Sequence, residues 1–244
     1  MSMALFSEQF AQLRAYLNDR RFRPDYAEIR HVSPCRWPSG ARRSVVFSDE
    51  TAVELGAPDV GSASFLIWSD GSDEVRDGLI TIIGPDIRDC PSRVPFGKAV
   101  MVVLDGGVNN ETLVRYRDLD GVRFEIELRG YMVRALPQHG REWSRVSREA
   151  VEQGFSFITL GGAIIDALHK KEYVKAVEVL FVTSSGEDLA GLAGIADGAL
   201  RIVSAMSRLL EEDEHECERC DNSDVCAQVD ELRRLRDERR AVDR

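Results

Sequence analysis

The sequence has no unbroken apolar run of the roughly 18 residues that a membrane-spanning helix needs, so no membrane span is expected. It also has no surplus of positive charge. There are 32 Lys and Arg against 42 Asp and Glu, a net charge of −10, which argues against general binding to nucleic acid or to an anionic membrane. The stretch from Met1 to Phe10 has no basic region followed by a long apolar segment, so no secretory leader is expected. No segment repeats. Only four histidines occur, His31, His139, His169 and His215, far apart and without an HExxH or GxSxG, so no nucleophilic triad is apparent. Cysteine is scarce and odd in number, at five, which speaks against a disulfide framework and for a reducing, cytoplasmic setting.

Those few cysteines are unevenly placed. Cys217-Glu-Arg-Cys220 is followed, after five residues, by Cys226. A CxxC lets two sulfurs reach one metal from a single turn, and a third nearby thiol closes most of a coordination shell. His215 is the candidate fourth ligand. The same atoms suit an iron-sulfur cluster or a Cys₃His zinc site, and a loop of free thiols is the plain alternative. Asp221, Asn222 and Asp224 in the spacer are turn formers that would let the loop bend back. Cys35 and Cys90 are isolated and read as inert structural thiols.

An apolar share of 43% over 244 residues supports one large domain or two modest ones. Residues 1–43 read as a helix with apolar positions at Leu5, Phe6, Phe10, Leu13 and Leu17, capped by Ser7, followed by the basic cluster Arg20-Arg-Phe-Arg and an irregular arm. The cluster reads most simply as a solvated face. Residues 44–185 read as an α+β domain. Its β-rich runs are Ser44–Phe47, Thr51–Leu55, Ser64–Trp68, Leu79–Ile83 and Ala99–Leu104, the last without alternation and so covered on both faces. Asn109 or Asn110 is placed to cap a helical stretch that breaks near Gly121 and runs to about Leu136. A short helix follows, with Ser147 as N-cap and Gly154 past its end. Then come a helix from Gly161 to His169 and a buried strand over Val177–Val182. Residues 186–244 read as a helical segment carrying the cysteine loop, with a long helix over Gly186–Leu210 and a charged helix over Gln228–Arg240. The fold class is α+β, with a mixed β-sheet flanked by helices.

Several fragments in order carry a resemblance: Ile83-Gly-Pro-Asp-Ile87, Arg93-Val-Pro-Phe-Gly97, Gln138, Trp143-Ser-Arg145-Val-Ser147, Glu149-Ala150, Gly154-Phe155, Gly161, the run from Lys175 to Thr183, and the CxxC. Together, over residues 44–226, they resemble the middle region of the acetyl-CoA synthase subunit of the carbon monoxide dehydrogenase/acetyl-CoA synthase family. That family joins methyl, carbonyl and coenzyme A at a nickel centre bridged to an iron-sulfur cluster of the 4Fe–4S type. The resemblance implies that Cys217 and Cys220 match the family's cluster CxxC and that Cys226 matches its third cysteine after a shortened spacer. A fourth cysteine has no counterpart, and no Cys-Gly-Cys for nickel occurs. A tryptophan–histidine pair that the family carries in a region associated with coenzyme A corresponds here to Arg134-Ala135.

Between Arg123 and Arg148 lie Arg123, Arg129, Arg134, Arg141, Arg145 and Arg148, with His139 and Trp143. Arginine forks suit phosphates, and an indole offers a stacking face to an adenine. Trp143, Arg145, Arg134 and Arg141 are thus candidate contacts to coenzyme A, against a plainer reading of surface ion pairs around a core tryptophan. The expected protein is an accessory or degenerate relative of acetyl-CoA synthase that binds coenzyme A or a protein subunit of the carbon monoxide dehydrogenase type, with self-association left open. A zinc-stabilised interaction module without catalysis is the alternative.

Overall fold

The structure, a computed structural model, describes residues 5–40, 45–71, 74–105, 112–136, 139–184, 186–211, 222–229, 232 and 234. The elements run α1 (Ser7–Arg20), β1 (Tyr26–Arg30), β2 (Thr51–Leu55), β3 (Ser62–Ser69), β4 (Leu79–Ile83), β5 (Arg93–Val94), β6 (Phe96–Leu104), α2 (Thr112–Glu125), β7 (Tyr131–Leu136), β8 (Arg141–Ser147), α3 (Arg148–Glu152), α4 (Phe157–His169), β9 (Val174–Val182), α5 (Glu187–Glu211) and α6 (Ser223–Gln228). This is the α+β class expected, with two mixed sheets. A five-stranded sheet has the order β1-β4-β9-β6-β3, and a four-stranded sheet the order β5-β2-β8-β7.

The large sheet is built on β6. It pairs parallel with β3 and antiparallel with β9, and every one of its residues is buried. Its apolar run lacks alternation because helices cover both faces. On one face α5 comes so close that a Cβ on Gly97 would lie 2.5 Å from Leu192 Cδ2. On the other, Phe157 of α4 stacks on Phe181 of β9 at 4.8 Å, and a Cβ on Gly161 would lie 2.8 Å from Ile80 Cδ1. By length and composition α5 could cross a bilayer. Here Leu192, Ile195, Ala199, Ile202 and Met206 are buried in the core, which accounts for its apolar stripe.

The Ile83-Gly-Pro-Asp-Ile87 stretch is a structural turn. Gly84 takes φ +100° and lies against Ser184, where a Cβ would meet the backbone nitrogen at 2.6 Å. Asp86 Oδ1 accepts from Ile87 N at 2.7 Å and from Phe157 N at 2.8 Å, so one carboxylate starts a 3₁₀ turn and also satisfies the free N-terminus of α4.

Several expectations need correction. The arm before Arg43 contains β1, an edge strand antiparallel to β4. Val45–Phe47 is not a strand: the Phe47 carbonyl accepts from Glu50 N and Thr51 Oγ1, which closes a turn. Residue 44 and Asn109 and Asn110 lie outside the described residues. Ser7 is the first helical residue of α1, whose N-cap, Phe6, makes no side-chain cap. The helix after residue 112 runs through Gly121 and ends at Glu125, and Tyr131–Leu136 is strand β7. The break falls at Gly130 (φ +78°), where a Cβ would be 2.5 Å from Ser147 Oγ. Arg20 and Arg23 do not form a solvated face, because both bond Asp188 at 2.7 Å in the first turn of α5. Ser147 and Gly154 act as expected, the hydroxyl accepting from Ala150 N and the glycine taking φ +90°. The helix over Gly161–His169 begins earlier, at Phe157, with Ser156 as its cap.

Candidate functional site on the second sheet

β8 was not foreseen as a strand, yet it organises the candidate site. Its sequence Arg141-Glu-Trp-Ser-Arg-Val-Ser147 alternates in burial: Glu142, Ser144 and Val146 turn inward, and Arg141, Trp143 and Arg145 turn outward. The register with β7 sets Arg134 opposite Trp143, Met132 opposite Arg145 and Leu136 opposite Arg141. All four candidate residues, Arg134, Arg141, Trp143 and Arg145, therefore share one outer face. Trp143 is half-buried there. The Arg145 guanidinium lies 4.6 Å from an indole ring centroid and that of Arg134 5.9 Å, within cation–π range. The plainer reading of a core tryptophan does not hold.

The arginines of this face differ in their ties. Arg145 Nε donates to Glu54 Oε1 at 2.8 Å. Glu54 Oε2 also pairs with Arg93 Nε at 3.3 Å, and Arg93 reaches Asp59 at 2.6 Å. Among the described residues, the exposed Arg134 and Arg141 pair with no carboxylate. Two unneutralised guanidinium forks beside an indole can take a phosphate and a flat ring together.

The other basic residues of the stretch go elsewhere. Arg129 and Arg148 line a cleft of about 470 Å³ and are held by Glu149 and the Asp49 carbonyl. His139 is exposed, and Gln138 lies outside the described residues. Arg123 is buried under the face in an ion cluster that sequence reasoning missed. Lys98 Nζ of β6 donates to Glu142 Oε1 at 2.6 Å, and Arg123 Nη1 to Glu142 Oε2 at 3.1 Å and to Ser64 Oγ at 3.2 Å. Arg123 also binds Asp120. Burial alone would push the Glu142 carboxyl up; the Lys98 ammonium and Arg123 guanidinium outweigh it and hold it below the usual carboxylate range. This cluster joins the two sheets at the strand that carries Trp143. The sequence signal for it is Glu142 between two outward residues, which becomes readable once β8 is recognised.

Of the proposed metal ligands, Cys217, Cys220 and His215 lie outside the described residues. Cys226 is buried in α6, packed with the main core. Asp221 of the spacer lies outside the described residues, and from Ser223 on the spacer is helical: Asn222 Nδ2 donates to Ser204 Oγ at 3.0 Å and Asp224 pairs with Arg201 at 2.5 Å, docking α6 on α5. Of the charged helix expected over Gln228–Arg240, Gln228 instead ends α6, Val229 is its extended C-cap, Leu232 is buried, and the rest apart from Arg234 lies outside the described residues. Among the described residues no group of three His, Cys, Asp or Glu side chains is placed to hold a metal ion. Cys90 donates to the Pro85 carbonyl, and burial pushes its thiol up to about 12, which fits an inert role. Cys35 contacts the Thr159 carbonyl at 3.6 Å.

Fold and face together define an α+β domain with a basic, aromatic sheet surface. The sequence profile described as CO dehydrogenase/acetyl-CoA synthase complex beta subunit matches residues 42–187. The chain belongs to that family. It is 28% identical over 140 residues to the acetyl-CoA decarbonylase/synthase complex subunit beta 2 of Methanosarcina thermophila, covering 55% of this chain and 28% of that protein. To the corresponding beta subunit of Archaeoglobus fulgidus it is 27% identical over 137 residues, 54% of this chain and 25% of that protein. The matched stretch thus spans about a quarter of these relatives' length.

Proposed function

We propose that this protein is an accessory or degenerate relative of the acetyl-CoA synthase beta subunit. In this reading it is cytoplasmic and binds coenzyme A on the outer face of its second sheet. The observation that carries the reading is Trp143 beside Arg134 and Arg145, with Arg134 and Arg141 lacking a carboxylate partner among the described residues, inside the segment that matches the family. Arg134 and Arg141 would take phosphates, Trp143 would stack the adenine, and Arg145, held by Glu54, would keep the indole in place. The relatives are named as subunits of a complex, which supports a protein partner for the same domain. The proposed metal site at Cys217, Cys220 and Cys226, with His215, is of the iron-sulfur type. With no Cys-Gly-Cys in the sequence, no nickel chemistry is assigned to this chain.

The test is calorimetric titration of coenzyme A. Binding is expected to weaken at least about tenfold in Arg134→Ala and in Trp143→Ala, consistent with loss of one charge-assisted contact or one stacking face. Arg129→Ala, away from this face, should leave it unchanged. Affinity that is absent, or indifferent to Arg134 and Trp143, would sink the reading.

A further inference from the structure

The two edges of the large sheet differ. β3, at one, is buried along all but its first residue, and Ser64 N donates to the Gly140 carbonyl. β1, at the other, pairs among the described strands with β4 alone. In that ladder His31 N donates to the Gly78 carbonyl and Gly84 N to the Asp25 carbonyl. Hydrogen-bonding direction alternates along an antiparallel strand, so the odd-numbered residues turn their backbone groups to β4, and Tyr26, Glu28 and Arg30 turn theirs outward. Past the strand, His31 Nε2 and Cys35 N both meet the Asp166 carboxylate of α4, which draws the chain toward that helix and away from the edge.

An open edge is a template for another strand, and edge strands commonly avoid this with proline, lysine or a bulge. β1, Tyr26-Ala-Glu-Ile-Arg30, has no proline, no lysine and no register shift against β4. Its charges complement a second copy of itself. In antiparallel pairing centred on Ile29, Glu28 of each copy lies opposite Arg30 of the other, and Tyr26 lies opposite Val32, which is 82% exposed. Glu28 and Arg30 are also the residues whose backbone groups face out, so each opposed pair exchanges two hydrogen bonds. Within its own chain Glu28 Oε1 accepts from Tyr26 and Arg76, and Arg30 Nη1 donates to the Asp77 carbonyl, which leaves Glu28 Oε2 and Arg30 Nη2 for the other copy. Other registers are poorer. Centring on Glu28 sets two carboxylates face to face, and centring on Ala27 sets Arg30 opposite Pro24, which has no N–H to give.

We infer that this edge pairs two copies of the chain into a symmetric dimer, β1 antiparallel to β1 about Ile29, which joins their large sheets into one. The contact is a single short strand pair, the scale of a weak, transient interface, so the expected dissociation constant is on the order of 100 μM. The edge lies before residue 42, where the family match begins, and uses none of the residues of the coenzyme A reading.

The experiment is analytical ultracentrifugation of the full-length chain from about 10 μM to about 1 mM, where a monomer–dimer equilibrium is expected. Glu28→Arg sets arginine opposite arginine and Arg30→Glu sets glutamate opposite glutamate, so each variant alone should self-associate at least about tenfold more weakly. Mixed in equal amounts, the two variants restore both opposite-charge pairs and should form a heterodimer within about threefold of the wild-type affinity. Circular dichroism checks that both are folded. In the wild-type chain, amide exchange at Glu28 and Arg30 should slow as concentration rises, a readout that needs no variant. A wild-type chain that stays monomeric at about 1 mM would overturn the proposal and leave the edge to a strand of another protein. Dimers indifferent to either substitution, folded variants that fail to associate on mixing, or exchange at Glu28 and Arg30 that does not slow would each overturn it as well.

Discussion

At the residue scale the decisive group is Glu142. Its carboxylate is fully buried and receives Lys98, Arg123 and Ser64. Replacing it with glutamine leaves two buried cations without their counter-charge, and breaking such a pair from one side costs about 3–5 kcal/mol. Glu142→Gln is therefore expected to lower the unfolding free energy by about 3 kcal/mol in urea denaturation. Glu149→Gln, exposed and seven residues on in sequence, should stay within about 0.5 kcal/mol. A small effect at Glu142 would mean that the cluster contributes shape and not charge pairing. Trp143 shows the limit of residue-type reasoning. Its neighbours in sequence already include arginines, but which of them faces it is a matter of strand alternation and cross-strand register.

At the element scale, glycines decide how close helices come. Gly97 lets α5 settle on β6: a Cβ there would lie 2.5 Å from Leu192 and 2.9 Å from Val182. Gly97→Ala should cost about 1–3 kcal/mol through overpacking. Gly194, on α5 itself, meets nothing within 4 Å, so Gly194→Ala should stabilise by up to about 1 kcal/mol through helix propensity. Thermal melts of the two variants should move in opposite directions. The strands β7 and β8 were hidden for a related reason. Tyr131-Met-Val-Arg-Ala-Leu136 carries apolar residues at spacings that also suit a helix, and β8 has charged or polar residues on both of its faces. Neither segment announces a strand alone; they define each other by pairing from Tyr131–Val146 to Leu136–Arg141. By contrast β6, the Ser147 cap and the span of α5 were legible, since a long apolar run, a capping hydroxyl and an amphipathic stripe are local signals.

At the scale of the whole molecule, buried carboxylates held by cations set the acid response. Burial alone would raise Glu142 and Asp188, but Lys98 and Arg123 around the first, and Ser184, Arg20 and Arg23 around the second, hold both below their ordinary values. A carboxyl whose folded value is depressed binds protons more weakly folded than unfolded. Its contribution is complete above about pH 4 to 4.5, the unfolded range, and is lost as pH falls through the folded values. Stability should thus be flat down to about pH 5 and fall below about pH 4, and Glu142→Gln should make that fall shallower. The same slope in wild type and variant would assign the acid transition to other groups. The proposed iron-sulfur site, whose cysteines all lie between Cys217 and Cys226, is tested on the full-length chain. Protein purified without oxygen should carry about four irons and four acid-labile sulfides, lost in Cys217→Ala. About one zinc without sulfide would instead indicate a structural Cys₃His site.

The sequence by itself determined the α+β class, the central buried strand, the Ser147 helix cap, the family resemblance and the short list of arginines beside one tryptophan. These rest on local chemistry: apolar runs, turn formers, capping hydroxyls and motif order. Only the tertiary structure decided that Arg134, Arg141 and Arg145 share a face with Trp143 while Arg123 turns inward to Glu142. It also decided that Cys226 sits in a helix docked on α5, and that Gln9 closes over a glycine stripe more than 180 residues away. Strand alternation sends adjacent residues to opposite sides, and register joins segments distant in sequence, so partners of this kind are set by pairing and packing that no local stretch encodes.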